Sequence, residues 1–278
     1  MNRIIQKNKI NENIFRIVID APHIARAAKP GQFVVVVPTE KAERIPLTIA
    51  DFDREKGTIT IIFQIVGATT KVLDSIPAGG EIAHLLGPLG TPSHIENYGT
   101  VVVIGGGVGI AEIYPAVKAL KAIGNEVITV IGARNRDLLI FQNELSVVSC
   151  QLLVTTDDGS AGRKGFVSDE LKDIIASGKK IDLVLAVGPV PMMRVCCEVT
   201  KPHGIKTVVS LNPIMLDATG MCGACRVQVG GKTKFACVDG PEFDGHQVDF
   251  ADLVARLKPF KDMEKRALDH VCRLLGGK

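Results

Sequence analysis

The stretch Val101-Val-Val-Ile-Gly105-Gly106-Gly107-Val-Gly109-Ile110-Ala111 reads as a buried strand running into a glycine loop and then a helix. A loop with so little side chain lets a phosphate approach the backbone and meet the positive end of the following helix. The stretch departs from the G-x-G-x-x-G fingerprint, because Ile110 stands where the last glycine is required. A tight strand-to-helix turn would explain one or two glycines, but it explains four in five positions poorly. Outward from this point, apolar strands are expected at 101–104, 127–131, 151–155, 183–187 and 207–211. Between them, helices are expected at 110–122, 138–145, 168–176 and 192–200. Such alternation specifies a doubly wound parallel sheet with helices on both faces.

The rhythm differs on either side. From Ile4 to about Ile95 short β-branched runs at 15–19, 33–37, 47–49, 58–65 and 81–86 are separated by Gly, Pro and Asp, which predicts an antiparallel barrel. After Pro213 comes a cysteine-bearing segment and then a charged helix expected over about 252–275. The expected domains are a barrel over 1–97, a nucleotide-binding α/β unit over 98–212 and a small metal module over 213–278.

The metal module reads Asp217-Ala-Thr-Gly-Met-Cys222-Gly-Ala-Cys225, with eleven residues between Cys225 and Cys237. A plant-type two-iron two-sulfur cluster is held by C-x4-C-x2-C and a distant fourth cysteine, and here Asp217 takes the first slot. Gly220, Gly223 and neighbouring alanines leave room for backbone N–H groups to reach the cluster sulfurs. A redox disulfide fits less well, because such a C-x-x-C opens a helix whereas this one lies in a glycine-rich loop ahead of a hairpin. Zinc on three thiolates and a carboxylate is the competing reading, although structural zinc prefers two paired knuckles or histidines. Cys150, Cys196, Cys197 and Cys272 stand in apolar or helical surroundings and are read as small hydrophobes of a reducing compartment.

At the end of the second parallel strand, where an acid would accept the ribose hydroxyls of NAD, the chain has Arg134, which leans toward the 2′-phosphate of NADP. Gly188-Pro189-Val190-Pro191-Met192 is a stiff loop at a ligand-binding strand end and suits a wall for a nicotinamide ring. In the barrel, Arg44, Pro46, Leu47 and Thr48, then Ile62, Phe63 and Gln64, then Thr69 and Thr70, supply what a flavin needs. These are a cation for pyrophosphate, a strand-end hydroxyl, Thr48, to face the isoalloxazine, and a capped helix start.

In order, Pro30-Gly-Gln-Phe33, Arg44–Thr48, Gly87-Pro-Leu-Gly90, Gly105–Gly109, Thr156-Asp157-Asp-Gly159, Gly188–Met192 and the cysteine module resemble the ferredoxin–NADP reductase superfamily over the whole chain. The resemblance is nearer to the electron-transfer subunit of dihydroorotate dehydrogenase and to its relatives, the small subunits of NADH-dependent ferredoxin:NADP oxidoreductase and sulfide dehydrogenase. It implies FAD in the barrel, with Thr48 as the catalytic hydroxyl. It also implies NAD(H) on the glycine loop despite Arg134, with Asp157 near the nucleotide. Asp217, Cys222, Cys225 and Cys237 are the implied ligands of a 2Fe-2S cluster. The implied partner is a larger flavin and iron–sulfur subunit, forming a heterodimer through which ferredoxin is reached indirectly.

Three departures bear on the choice within the family. Ile45 holds the reductase arginine slot, with Arg44 one position back; Val187 replaces a cysteine before Gly188; and Asp217 replaces the first cluster cysteine. Asp217 is similar to the bifurcating transhydrogenase subunits, and the dihydroorotate dehydrogenase subunit is the alternative, with a stand-alone NAD(P)H reductase behind it. A net charge of +3 gives no electrostatic footprint for nucleic acid. The N-terminal segment lacks an apolar signal core and no stretch reads as a membrane span, so a cytoplasmic location is expected.

Overall fold

The computed structural model describes residues 2–276. Its first unit contains β1 (Ile4–Lys9), β2 (Ile14–Asp20), α1 (Pro22–Ala27), β3 (Phe33–Val37), β4 (Ile45–Asp53), β5 (Thr58–Gln64), α2 (Ala68–Ser75) and β6 (His84–Leu89). The strands pair antiparallel in the order β1-β2-β5-β4-β3-β6. The segment before β6 curls back onto β1, where Ile4 N–H donates to the Gly80 carbonyl at 2.8 Å and Ile82 N–H to Asn2 at 3.0 Å. An Arg3–Glu81 bridge completes this closure, so the β1 edge finds backbone partners in the segment that leads into β6. Alternate residues fill the interior: Ile17 and Ile19 from β2, Val34 and Val36 from β3, Ile59, Ile61 and Phe63 from β5.

The second unit contains β7 (Thr100–Gly106), α3 (Gly109–Ala122), β8 (Glu126–Ala133), α4 (Gln142–Val148), β9 (Gln151–Thr156), β10 (Arg163–Lys164), α5 (Val167–Ala176), β11 (Leu183–Val187), α6 (Val190–Thr200) and β12 (Thr207–Ser210). Then follow the hairpin β13 (Arg226–Val229) and β14 (Lys232–Phe235), β15 (Glu242–Asp244), α7 (Phe250–Arg256) and α8 (Lys261–Gly276). The large sheet runs β10-β9-β8-β7-β11-β12-β15 and is parallel except for β15, which pairs antiparallel with β12. The segment after residue 213 thus supplies an edge strand to the sheet before it. Val101 and Val103 of β7 pack toward α3 and α4, while Val102 and Ile104 pack toward α5 and α6. Both sheet faces are therefore covered, as the near-continuous apolar strands require. Strand order reverses at β7, which has β8 on one side and β11 on the other, and ligands of open α/β sheets bind at such a point.

The barrel and the cysteine module are stitched together by motifs. Gly31 has φ +80°, and a Cβ there would sit 2.2 Å from Ser93 Oγ. Thr91 N–H donates to the Gly240 carbonyl at 2.7 Å, and Ser93 Oγ donates to Glu242. Phe33, Val35 and Val37 join the same apolar cluster as Cys225, Val227 and Cys237.

Several elements differ from expectation for local reasons. The helix expected over 138–145 starts at Gln142, because Leu139 and Ile140 are buried and Phe141 takes a left-handed φ of 57°. The helix expected over 168–176 starts one residue earlier, at Val167, with the Phe166 N–H before it donated to the Asp169 carboxylate at 3.0 Å. The single C-terminal helix divides into α7 and α8, because Pro259 has no N–H to continue the ladder. Among the described residues no helix is long and apolar enough to cross a membrane.

Phe63 is 1% exposed and stacks on Phe15 with ring centroids 6.0 Å apart. Replacing it with alanine should cost about 3–5 kcal/mol, because the barrel interior cannot collapse around so large a void. Urea denaturation reads this directly, and a loss below about 1 kcal/mol would show that the barrel core is not packed as described.

Candidate functional site

A cavity of about 680 Å³ opens at the carboxyl end of β7. Gly106, Gly107 and Gly109 line it from the glycine loop, Arg134 and Asp157 from the ends of β8 and β9, and Gly188, Pro189 and Met192 from the end of β11. Gln64 reaches it from the barrel, so the cavity lies where the two sheets meet.

The glycines are sterically required. A Cβ on Gly109 would lie 2.5 Å from the Val187 carbonyl oxygen, and one on Gly106 would lie 2.4 Å from Met192 Sδ. Gly105 is closed by the backbone of Ile110 at 2.9 Å, and Gly107 has φ +58°. The start of α3 is therefore pressed directly against the loop that ends β11. Val108 and Gly109 at its start line the cavity, and a helix N-terminus there favours a phosphate. Arg134 is exposed at the tip of β8, and Asp157 holds its turn by donating its N–H to the Ala133 carbonyl at 3.1 Å.

In the barrel, Pro46, Leu47 and Thr48 pair with Val35, Val34 and Phe33. Thr48 faces Glu112 of α3. Ile62 turns outward into the cluster shared with α3, whereas the Phe63 side chain turns into the barrel, so only the Phe63 backbone can meet a ligand outside. Thr69 donates to Glu43 at 3.1 Å. Thr70 accepts from the N–H groups of Val66 and Gly67 at 3.1 and 3.0 Å, so its hydroxyl secures the start of α2, whose cap is Gly67.

Arg44 does not stand alone. Its Nη1 lies 2.9 Å from Asp217 Oδ1, tying the entry to β4 to the cysteine loop. Asp217 Oδ2 accepts from the Thr219 N–H at 3.2 Å and from the Thr219 hydroxyl. These bonds, aided by the Arg44 charge, hold the Asp217 carboxyl below the usual carboxylate range. Cys225 and Cys237 are both 2% exposed with sulfurs 3.2 Å apart. That is well beyond a disulfide bond of about 2.05 Å and near the roughly 3.8 Å between two thiolates on one tetrahedral metal. Burial, with Cys225 beside it, pushes the Cys237 thiol up to about 12. Cys222 is exposed on the same loop and does not join the pair, and among the described residues no three His, Cys, Asp or Glu converge as a metal site.

The cradle nonetheless suits a cluster by its chemistry. Ala218, Gly220 and Gly223 are all left-handed, the Gly220 N–H is directed at Cys237, and the Ala224 N–H reaches Cys222 Sγ at 3.5 Å. Asp239, the other nearby carboxylate, is occupied by the Phe235 N–H at 2.7 Å.

Sequence reading missed Glu112. It lies in the first turn of α3, partly buried, and opens into the cavity. Burial pushes its carboxyl up from the ordinary value, and the Thr48 hydroxyl only partly opposes this. The available signal was a carboxylate set among Ile110, Ala111 and Ile113 on an otherwise buried turn.

Comparison with known proteins agrees with this anatomy. The oxidoreductase NAD-binding domain matches residues 103–198, and the iron–sulfur cluster binding domain of dihydroorotate dehydrogenase B matches residues 212–249. A dihydroorotate dehydrogenase B (NAD(+)) electron transfer subunit homolog from Thermotoga maritima is 49% identical, covering 99% of this chain and 97% of that protein. The electron transfer subunit of Bacillus cereus (strain Q1) is 30% identical over 86% of this chain and 94% of its own. Among solved structures, a chain of the NADH-dependent reduced ferredoxin-NADP oxidoreductase superposes with a TM-score of 0.93 at 48% identity, covering 97% of both chains. An antiparallel barrel, a parallel NAD-binding sheet and a cysteine-bearing iron–sulfur module in this order make the chain an oxidoreductase belonging to the family of dihydroorotate dehydrogenase B electron-transfer subunits and their homologues.

Proposed function

We propose that this chain is the electron-transfer flavoprotein subunit of a heteromeric, electron-bifurcating NADH-dependent ferredoxin:NADP oxidoreductase. In this reading Cys222, Cys225 and Cys237, with Asp217 in the first slot, hold a 2Fe-2S cluster. The outer face of the barrel around Arg44, Thr48 and Gln64 holds FAD, and the cavity over Gly105–Gly109 takes NAD(H). Flavin supplies the exchange between single electrons from a cluster and electron pairs for a nicotinamide.

The residues of the chain do the positioning. The start of α3 and its glycines receive the pyrophosphate, and Pro189 and Met192 wall the nicotinamide. Thr48 carries its hydroxyl on β4 between the barrel face and Glu112. The Arg44–Asp217 pair holds the cysteine loop against the strand that leads to Thr48. A larger flavin and iron–sulfur subunit, through which ferredoxin is reached, is the proposed partner. NADP(H) is the alternative nucleotide, favoured by Arg134 alone.

The observation that carries this reading is Asp217 at the first cluster position in a chain that follows the ferredoxin-NADP oxidoreductase structure over 97% of its length. A dihydroorotate dehydrogenase partner is the second reading, favoured by the names of the relatives at about 30% identity.

Anaerobic ultraviolet–visible spectroscopy with elemental analysis is expected to find iron, sulfide and FAD in about a 2:2:1 ratio. Zinc without flavin would refute the assignment of both cofactors. Orotate-dependent NADH oxidation after mixing with a dihydroorotate dehydrogenase core would favour the second reading. A carboxylate donates less electron density than a thiolate, so Asp217→Cys should keep the cluster but lower its potential by on the order of 100 mV. An EPR-monitored redox titration showing an unchanged potential would exclude Asp217 as a ligand. Gly109→Ala should weaken NAD+ binding at least about tenfold, because its Cβ must displace the start of α3 from the Val187 carbonyl, and about 1.4 kcal/mol suffices for that factor. Calorimetric titration giving wild-type affinity would remove the glycine loop from the nucleotide site.

A further inference from the structure

The cavity is lined from both units: by Arg134 at the tip of β8 and Glu112 of α3, and by Ile14 and Gln64 of the barrel. A nicotinamide that exchanges hydride with a flavin on the barrel must bring its ring to the barrel face around Thr48, the hydroxyl that Glu112 faces. Glu112 is the carboxylate beside that hydroxyl, recessed next to the glycine loop and packed toward β4.

Its surroundings lack a countercharge. Burial and the Thr48 hydroxyl are what act on its carboxyl, and among the described residues no lysine, arginine or histidine forms an ion pair with it. Lys118, the nearest cation along α3, is turned to Asp51 at 3.3 Å. A recessed carboxylate with no protein cation is costly to ionise, and a cation delivered by a ligand relieves that cost. The two redox forms of the nicotinamide differ in this respect: the oxidised ring carries a positive charge and the reduced ring is neutral.

We propose that Glu112 is a specificity-determining residue that selects the oxidised, cationic nicotinamide over the reduced, neutral one. The inference rests on the reading of this cavity as the NAD(H) site. A carboxylate that shares a recessed pocket with a cationic ring would act on one ligand and not on the other, so it would move the ratio of the two affinities rather than both together. Tight binding of the oxidised form beside Glu112 retains the hydride acceptor and releases the reduced product.

The test is anaerobic calorimetric titration of the full chain with NAD+ while its flavin is oxidised and with NADH after its flavin has been reduced with dithionite, so that neither nucleotide reacts, for the wild type and for Glu112→Gln, Glu112→Ala and Glu112→Asp. Glutamine has the same shape without the charge. It should weaken NAD+ by about tenfold while changing NADH by less than about twofold. Alanine should shift the ratio in the same direction, and aspartate should preserve it. Because an unpaired recessed charge is removed, the Glu112→Gln protein should melt no lower than the wild type. A ratio that stays constant while both nucleotides still bind would overturn the role of Glu112 and leave the nucleotide site intact. A wild-type chain that binds neither nucleotide would overturn the site reading, and this proposal with it.

Discussion

The burial of β3 on both faces is the constraint on which the rest of the molecule depends. Val34 and Val36 point into the barrel, and Phe33, Val35 and Val37 point out into the cluster that continues through the parallel sheet and the cysteine module. A barrel strand ordinarily presents its second face to water, so this one commits the barrel to a fixed seat on its neighbours. A run of four valines cannot specify its own register, because a slip of one residue exchanges like for like. Register must therefore come from the ends. The left-handed Gly31, closed against Ser93, and the large ring of Phe33, packed near Gly90, provide it. Thr48 is positioned as the partner of Phe33 in this ladder, so the strand that anchors the barrel also places its hydroxyl.

A second constraint acts at the switch point. Gly106, Gly109 and Gly188 let two loops approach until backbone meets backbone: Gly188 lies against the Gly106 carbonyl, and Gly109 against that of Val187. The ends of β7 and β11 thus form a single rigid floor. Met192, caught between Gly106 and Gly188, fills what space remains. This explains why glycine is needed at these positions even though the fingerprint lacks its last glycine at Ile110. The steric requirement is met by loop-to-loop contact at Gly109 rather than by helix-to-strand packing one position later.

Much of this architecture was legible in the sequence, because buried parallel strands are continuous apolar runs and barrel strands alternate between turn residues. The centres of β7, β8, β9 and β11 follow directly from composition. The three-residue β15 was not legible, since its pairing with β12 is decided by tertiary position and not by local pattern. The division between α7 and α8 was legible in Pro259 and was outweighed by helical spacing on either side. At the site, the glycines and cysteines announce themselves by residue type. Glu112 does not, because an acid in the first turn of a helix also reads as a favourable dipole partner, and only the cavity shows which way it faces. The link between Arg44 and Asp217 spans 173 residues, beyond any local periodicity.

That link illustrates why energy and function must be separated here. The Arg44 side chain is 52% exposed and that of Asp217 is 26% exposed, so solvent screens the pair and it contributes little to stability. Its importance is geometric. Arg44 precedes β4, and Asp217 opens the loop that ends at the buried Cys225, so the pair shortens the route between the barrel face and the sulfurs without a covalent link. A guanidinium offers five donors in a fixed plane, and one of them is engaged with Asp217. Placing Arg44 one position before the usual reductase slot thus moves its charge off the strand and onto the junction. In this fold the junction is what must be held still, because electron exchange depends on the separation of two groups carried by different units of the chain.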